Sequence, residues 1–392
     1  MRCVVLLKQK VKFLDNTLPL LVELHAAGVI EKPLIVVAQQ RHLSPIRQNV
    51  TLMAGIEAIG ATLTALPSGN VLMRKLKAIW LLRVLLLHRC VAIATTEFGG
   101  LFAVLTRINR AIHGGRSVYS MLSVMPEFID ARFRAANQGW QADRGRKAEL
   151  EPSIAEKIAT LRNYDGVLTS ERLAHAPSGP TPVWIGYPRI LPEWLRFLDR
   201  TRTRLLGPDV QAPYFLFVLQ NILNPDPAAG NKDTDALVRE VLTLLKPFCD
   251  QIRTVFKPHP VTDMAHLRRL IDEIGYSNYV ISYAHPLQLL RGARFALAYY
   301  SSTVLLDAFA LGVPTIDHVR YSPGLAAAAE GKSLLAPFVD YFSDLRDPER
   351  LRTNVALLLA NGEPPAREPK DRESFRIAEG RDIVRQIQAL FA

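Results

Sequence analysis

The chain has 392 residues, 49% hydrophobic and 22% charged. This is too long for one ordinary domain, fits two of about 150–200 residues, and excludes a disordered chain. Its 48 Lys and Arg against 37 Asp and Glu leave a formal charge of +11, which favours an anionic partner without choosing between nucleic acid, an acidic membrane face and a phosphorylated substrate. A solvated basic surface is the plainer alternative.

In chain order, strand-like apolar runs alternate with helix-period segments, the pattern of parallel strands joined by crossover helices. Strands are predicted at 4–7, 34–38, 62–66, 91–95 and 117–124, and helices at 18–27, 44–59, 71–88 and 101–113. Ser44 before Pro45 reads as a helix start and Gly60 as a stop. The polar stretch between 125 and 162 reads as a surface excursion. Strands resume at 165–170 and 182–185, and Pro188 and Pro192 are expected to break regular structure on the way out of the first domain.

A second series starts with the continuous apolar run 214–219, suited to a strand buried on both faces. Strands follow at 252–256, 279–282, 295–299 and from 314, with helices at 234–245, 264–274, 286–291 and 303–311. The expected fold is α/β, two doubly wound Rossmann-like domains facing a central cleft: residues 1–200, residues 201–345, and a helical tail at 346–392. Cys3, Cys90 and Cys249 have neither a disulfide framework nor CxxC spacing, and read as buried thiols in a reducing compartment. The N-terminal apolar run, broken by Lys8, Lys10 and Lys12, is too short for the apolar core of a secretion signal and no small-residue cleavage site follows it, and no stretch reaches about 18 uninterrupted apolar residues. A cytoplasmic location is therefore expected, with no nucleic-acid partner, since no interleaved basic and aromatic module is present.

Two segments carry the chemistry: FKPHP at 256–260 and YYSSTVLLDAFALGVP at 299–314. Open α/β sheets bind ligands beyond the carboxyl ends of their strands. Those ends offer Gln220, then Lys257 and His259, then Ser301, Ser302 and Thr303. Lys257 supplies a point charge and His259 a donor, Pro258 and Pro260 stiffen the loop, and the hydroxyls stand where a helix begins. Together they form a candidate phosphate site. Taken singly, KPHP reads as a stiffened turn and SST as a helix cap. Asp307, one turn further along, could hold ribose hydroxyls or be a polar-face residue.

These residues resemble the C-terminal half of GT-B glycosyltransferases that use CMP-activated sugars, such as bacterial sialyltransferases and capsule-polysaccharide Kdo transferases. The likeness covers about 214–314. It implies that Lys257 and His259 contact the CMP phosphate and that Ser301 and Ser302 bind this phosphate or the donor carboxylate. Asp307 stands where the family commonly has Glu. The implied activity is inverting transfer of a sialic acid- or Kdo-like sugar to a bacterial surface glycan or glycolipid, with no cofactor and no metal. Asp233-Thr234-Asp235 forms a DxD but reads more simply as a helix cap.

Such transfer needs a base for the acceptor hydroxyl. The family's acidic pair followed by Gly is absent, and Glu97 in TTEFGG is the first choice, with Glu127 and Asp130 second and Asp165 third. The segment 71–89 is a basic helix with leucines among its cations. It reads either as a peripheral contact with an anionic inner membrane or, more simply, as a core helix with a charged edge. A CDP-polyol phosphotransferase, a sugar-nucleotide epimerase and a non-catalytic nucleotide-sugar-binding subunit remain alternatives.

Overall fold

The computed structural model describes residues 1–7, 11–67, 70–95, 100–122, 154–170, 178–206, 210, 213–219, 234–259, 262–299, 302–321, 323–336, 338–361 and 380–391. Among these, the residues up to 122, 154–200 and 380–391 form one compact unit, and those from 201 to 361 another.

The first unit is built on a seven-stranded parallel sheet of β1 (Arg2–Leu7), β2 (Glu31–Val37), β3 (Thr62–Ala65), β4 (Cys90–Ala94), β5 (Arg116–Ser120), β6 (Gly166–Thr169) and β7 (Thr181–Trp184), in the order β3-β2-β1-β4-β5-β6-β7. β4 is buried along its whole length, which is why it reads as an unbroken apolar run. The second unit holds β8 (Tyr214–Val218), β9 (Arg253–Lys257), β10 (Tyr279–Ile281), β11 (Ala293–Tyr299), β12 (Thr315–Val319) and β13 (Tyr341–Asp344), all parallel, in the order β10-β9-β8-β11-β12-β13. Counted from β8, that is the 3-2-1-4-5-6 order of a dinucleotide-binding fold, whose direction reverses between β8 and β11. The core of this sheet includes stacked Phe215 and Phe295, with ring centroids 4.8 Å apart.

The structure revises several expected elements. The helix expected at 18–27 begins at Val11, and Thr17 is buried within it because its hydroxyl donates to Phe13 O at 2.8 Å. The helix expected at 44–59 is two, Leu43–Gln48 and Val50–Ala58, divided where Asn49 turns extended and its side chain accepts the Leu52 N–H. The single helix expected at 71–88 is likewise Val71–Leu81 and Val84–Leu87. Pro192 does not end regular structure but starts the helix Pro192–Leu206, because proline costs nothing at a position whose N–H has no partner within the helix. The fully buried Trp194 of that helix lies over Gly55, where a Cβ would stand 3.0 Å from the indole ring.

Beyond residue 345 the chain serves both units. The helix Pro348–Asn361 places Leu351, Val355 and Leu358 in the core of the second sheet. The helix Gly380–Phe391 lies against the first, where a Cβ on Gly166 of β6 would meet the Leu390 side chain at 2.6 Å.

Candidate functional site

The site expected from sequence lies at the carboxyl ends of β9, β8 and β11. Strand β8 lies between the other two, paired to each. With strands about 4.8 Å apart, the ends of β9 and β11 stand roughly 10 Å from one another on either side of the β8 end. This is the switch point of the sheet, where loops leave in opposite directions and a crevice opens.

At the end of β9, Lys257 is half-buried and Pro258 buried, while His259 emerges at the surface. The pairing with β8 runs one residue past the strands, since Leu219 N–H donates to Lys257 O at 3.0 Å. His259 O accepts the Thr262 N–H at 2.9 Å and closes the turn. Partial burial of the His259 ring, and then the Lys257 cation beside it, hold its pKa below the ordinary histidine value. At neutral pH it is therefore an uncharged imidazole with one N–H to give, and an arriving phosphate would draw the pKa back up.

Beyond β11, Ser302 forms the turn that leads into the helix Val304–Ala310, whose N-cap is Thr303: Ser302 Oγ accepts the Val304 N–H at 3.3 Å and its carbonyl the Leu305 N–H at 2.9 Å. The turn uses the hydroxyl as an acceptor and leaves its proton to donate. Ser302 and Thr303 are both half-buried. Asp307 is completely buried inside the same helix, so it stands behind the site and no oxygen of it reaches the surface where a ribose would lie. Gln220 and Ser301 lie outside the described residues.

Two further groups at this edge escaped sequence reasoning. Tyr283, just past β10, is 53% exposed, and Lys257 Nζ lies 6.0 Å from its ring centroid. Thr262 Oγ1, in the KPHP turn, is buried with no hydrogen-bond partner among the described residues. A lone aromatic residue after a strand gives no sign in the sequence of whether it packs inward, and a threonine after a turn gives even less.

The first unit divides the candidate bases. Glu97, Glu127 and Asp130 lie outside the described residues. Asp165 precedes β6 and so stands at the amino ends of the strands, opposite the edge where these sheets bind ligands. There it accepts the Ser117 N–H at 2.7 Å and pairs with Arg110 at 2.6 Å. Of the DxD, Asp233 lies outside the described residues, Thr234 begins the helix Thr234–Leu245, and Asp235 in its first turn is engaged by His266 Nε2 at 2.8 Å, a helix-to-helix contact.

No protein-family model matches the sequence, and no curated protein does. Among solved structures, a putative UDP-N-acetylglucosamine 2-epimerase from Listeria monocytogenes superposes with a TM-score of 0.51 at 11% identity, over 99% of this chain and 95% of that one. A UDP-glucosyltransferase from Polygonum tinctorium aligns at 0.46 and 12% identity, over 100% and 93%. The spinosyn forosaminyltransferase SpnP aligns at 0.45 and 16%, over 99% and 95%. The first of these likenesses shows the fold, a GT-B-type pair of Rossmann-like domains.

Proposed function

We propose that the protein is an inverting glycosyltransferase that moves a sialic acid- or Kdo-like sugar from a CMP-activated donor to a bacterial surface glycan or glycolipid, at the cytoplasmic side of the inner membrane. One observation carries this reading: Lys257 and His259 on one side of the β8 end, and Ser302 and Thr303 on the other, bracket the switch point of a 3-2-1-4-5-6 sheet. That arrangement suits a nucleotide phosphate, with Lys257 as cation and His259, Ser302 and Thr303 as donors. As the bond to the anomeric carbon breaks, charge grows on the leaving phosphate, and donors fixed beforehand stabilise it. Tyr283 is placed to stack the base. The base for the acceptor hydroxyl falls to the first domain, with Glu97 the first choice.

A second reading follows from the epimerase likeness: the same site would release a nucleotide from a sugar and return it without an acceptor. Titration of the purified protein with CMP, CDP and UDP, followed by turnover with the matching activated sugars with and without glycan acceptors, separates the two. Tight CMP binding and acceptor-dependent release of CMP support the transferase. Epimerised sugar without acceptor supports the second reading, and no nucleotide binding at all removes both.

A further inference from the structure

The segment Val71–Leu81 and Val84–Leu87 leaves four large apolar side chains in solvent: Leu72 is 68% exposed, Leu76 53%, Trp80 66% and Leu87 61%. At about 100° per residue, Leu72, Leu76 and Trp80 form a stripe roughly 80° wide, flanked by Lys75 on one side and Lys77 on the other. Both lysines are exposed. The opposite side is anchored in the domain, where Ala78, Leu82 and Leu85 are buried. Arg83 is exposed, holds its guanidinium 4.1 Å from the Trp80 ring centroid and donates to Trp80 O at 3.0 Å. Residues 71–89 include Arg74, Lys75, Lys77, Arg83 and Arg89 and contain no Asp or Glu.

A stripe of exposed leucines and an indole is costly to leave in water, and its charge pattern selects what covers it. A second copy in an isologous contact would bring one basic patch of Lys75, Lys77 and Arg83 against another, with no carboxylate in either segment to offset it. A sheet of anionic headgroups would meet every cation with a phosphate while the apolar stripe enters the acyl boundary. The indole, with a guanidinium on its face, suits the headgroup level. We infer that this face docks the protein on an anionic phospholipid bilayer. The contact is peripheral, since no described helix is long and apolar enough to cross a membrane. It uses no residue of the nucleotide site, so each can fail without the other.

The test is flotation of the full-length protein with vesicles of phosphatidylcholine alone or mixed with phosphatidylglycerol, at low and high salt. The expected result is binding to the mixed vesicles only, weakened by salt. Partitioning should fall about tenfold or more in the double variants Leu76→Ser/Trp80→Ser and Lys75→Gln/Lys77→Gln. These positions are exposed, so thermal unfolding and CMP binding should match wild type. Failure of the wild type to float with anionic vesicles overturns the inference, as does equal binding by both variants. A wild-type dimer that Leu76→Ser/Trp80→Ser converts to a monomer, with lipid binding unchanged, also overturns it and assigns the face to a second copy.

Discussion

Lys257 and Tyr283 leave adjacent strands β9 and β10 and converge beyond them, the ammonium 6.0 Å from the ring centroid. Tyr283 is one of two large hydrophobic side chains exposed among the described residues of the second unit, Leu357 being the other. An aromatic ring beside a cation at the carboxyl edge of such a sheet can hold a base while the cation holds its phosphate. Stacking of a base on an aromatic side chain is worth about 1–3 kcal/mol. Tyr283→Ala should therefore raise the donor KM by about tenfold with little change in kcat, and Tyr283→Phe should behave as wild type. Initial-rate kinetics over a donor series check both.

His259→Ala should lower kcat by about a hundredfold or more, the loss typical of removing one preorganised donor to a developing anion. Lys257→Gln should weaken nucleotide binding as well as turnover, since its charge acts on the ground state too. His259 lies at the surface, so circular dichroism and thermal unfolding of its variant should be unchanged. Wild-type turnover in His259→Ala would refute the phosphate role.

Acid stability reports on a different histidine. His318 in β12 is completely buried with its Nδ1 2.8 Å from Ser343 Oγ, and burial pushes its pKa down to about 4. The unfolded chain takes up a proton near the ordinary value of about 6.5, the folded one only near 4, so stability falls as pH drops through that window. The loss amounts to about 3 kcal/mol. His318→Gln should flatten the pH dependence of the denaturant midpoint between those values, whatever its effect on stability at neutral pH.

Asn109 in the helix Leu101–His113 is buried and fully used: Nδ2 donates to Leu85 O and His88 O, and Oδ1 accepts the Cys90 N–H. It ties that helix to the end of the basic segment and to the start of β4. Asn109→Leu leaves two carbonyls and one N–H unpaired and should cost about 2–4 kcal/mol by denaturant unfolding. Gly115→Ala should destabilise for the same reason, since its Cβ would fall 1.6 Å from Asn109 Oδ1.

The three cysteines are all buried, and burial raises the Cys3 thiol to about 12 and the Cys90 thiol to about 11. None should react with a thiol-disulfide reagent in the native protein, and all three should react once it is unfolded. Stoichiometric labelling of the native chain would contradict this packing.

What was legible in the sequence follows from which forces are local. Buried parallel strands announce themselves as apolar runs, and the helices Leu101–His113, Thr234–Leu245 and Met264–Ile274 fall on their expected bounds, because each has a strong period and clear ends. Pro258 and Ser302 of the phosphate segments could be placed just beyond strand ends for the same reason. Asp307 could not: its spacing along a helix reveals the face it shares, while its burial depends on what the rest of the domain lays over that face. The break at Asn49 and the helix from Pro192 are hard to read because asparagine and proline each both end and begin helices. β13, whose alternate residues include the buried Ser343 hydrogen-bonded to His318, has no apolar run to reveal it.

The helix Gly380–Phe391 packs on the unit that β1 begins, so in sequence the second domain is an insertion within the first. A ribosome delivers β1 to β7 early and must then translate the whole second domain before this helix appears. At about 5–20 residues per second the delay is roughly 10–40 s. Throughout that interval Gly166 of β6 lacks the Leu390 side chain that covers it in the finished fold, so this contact of the first domain is among the last the chain can make.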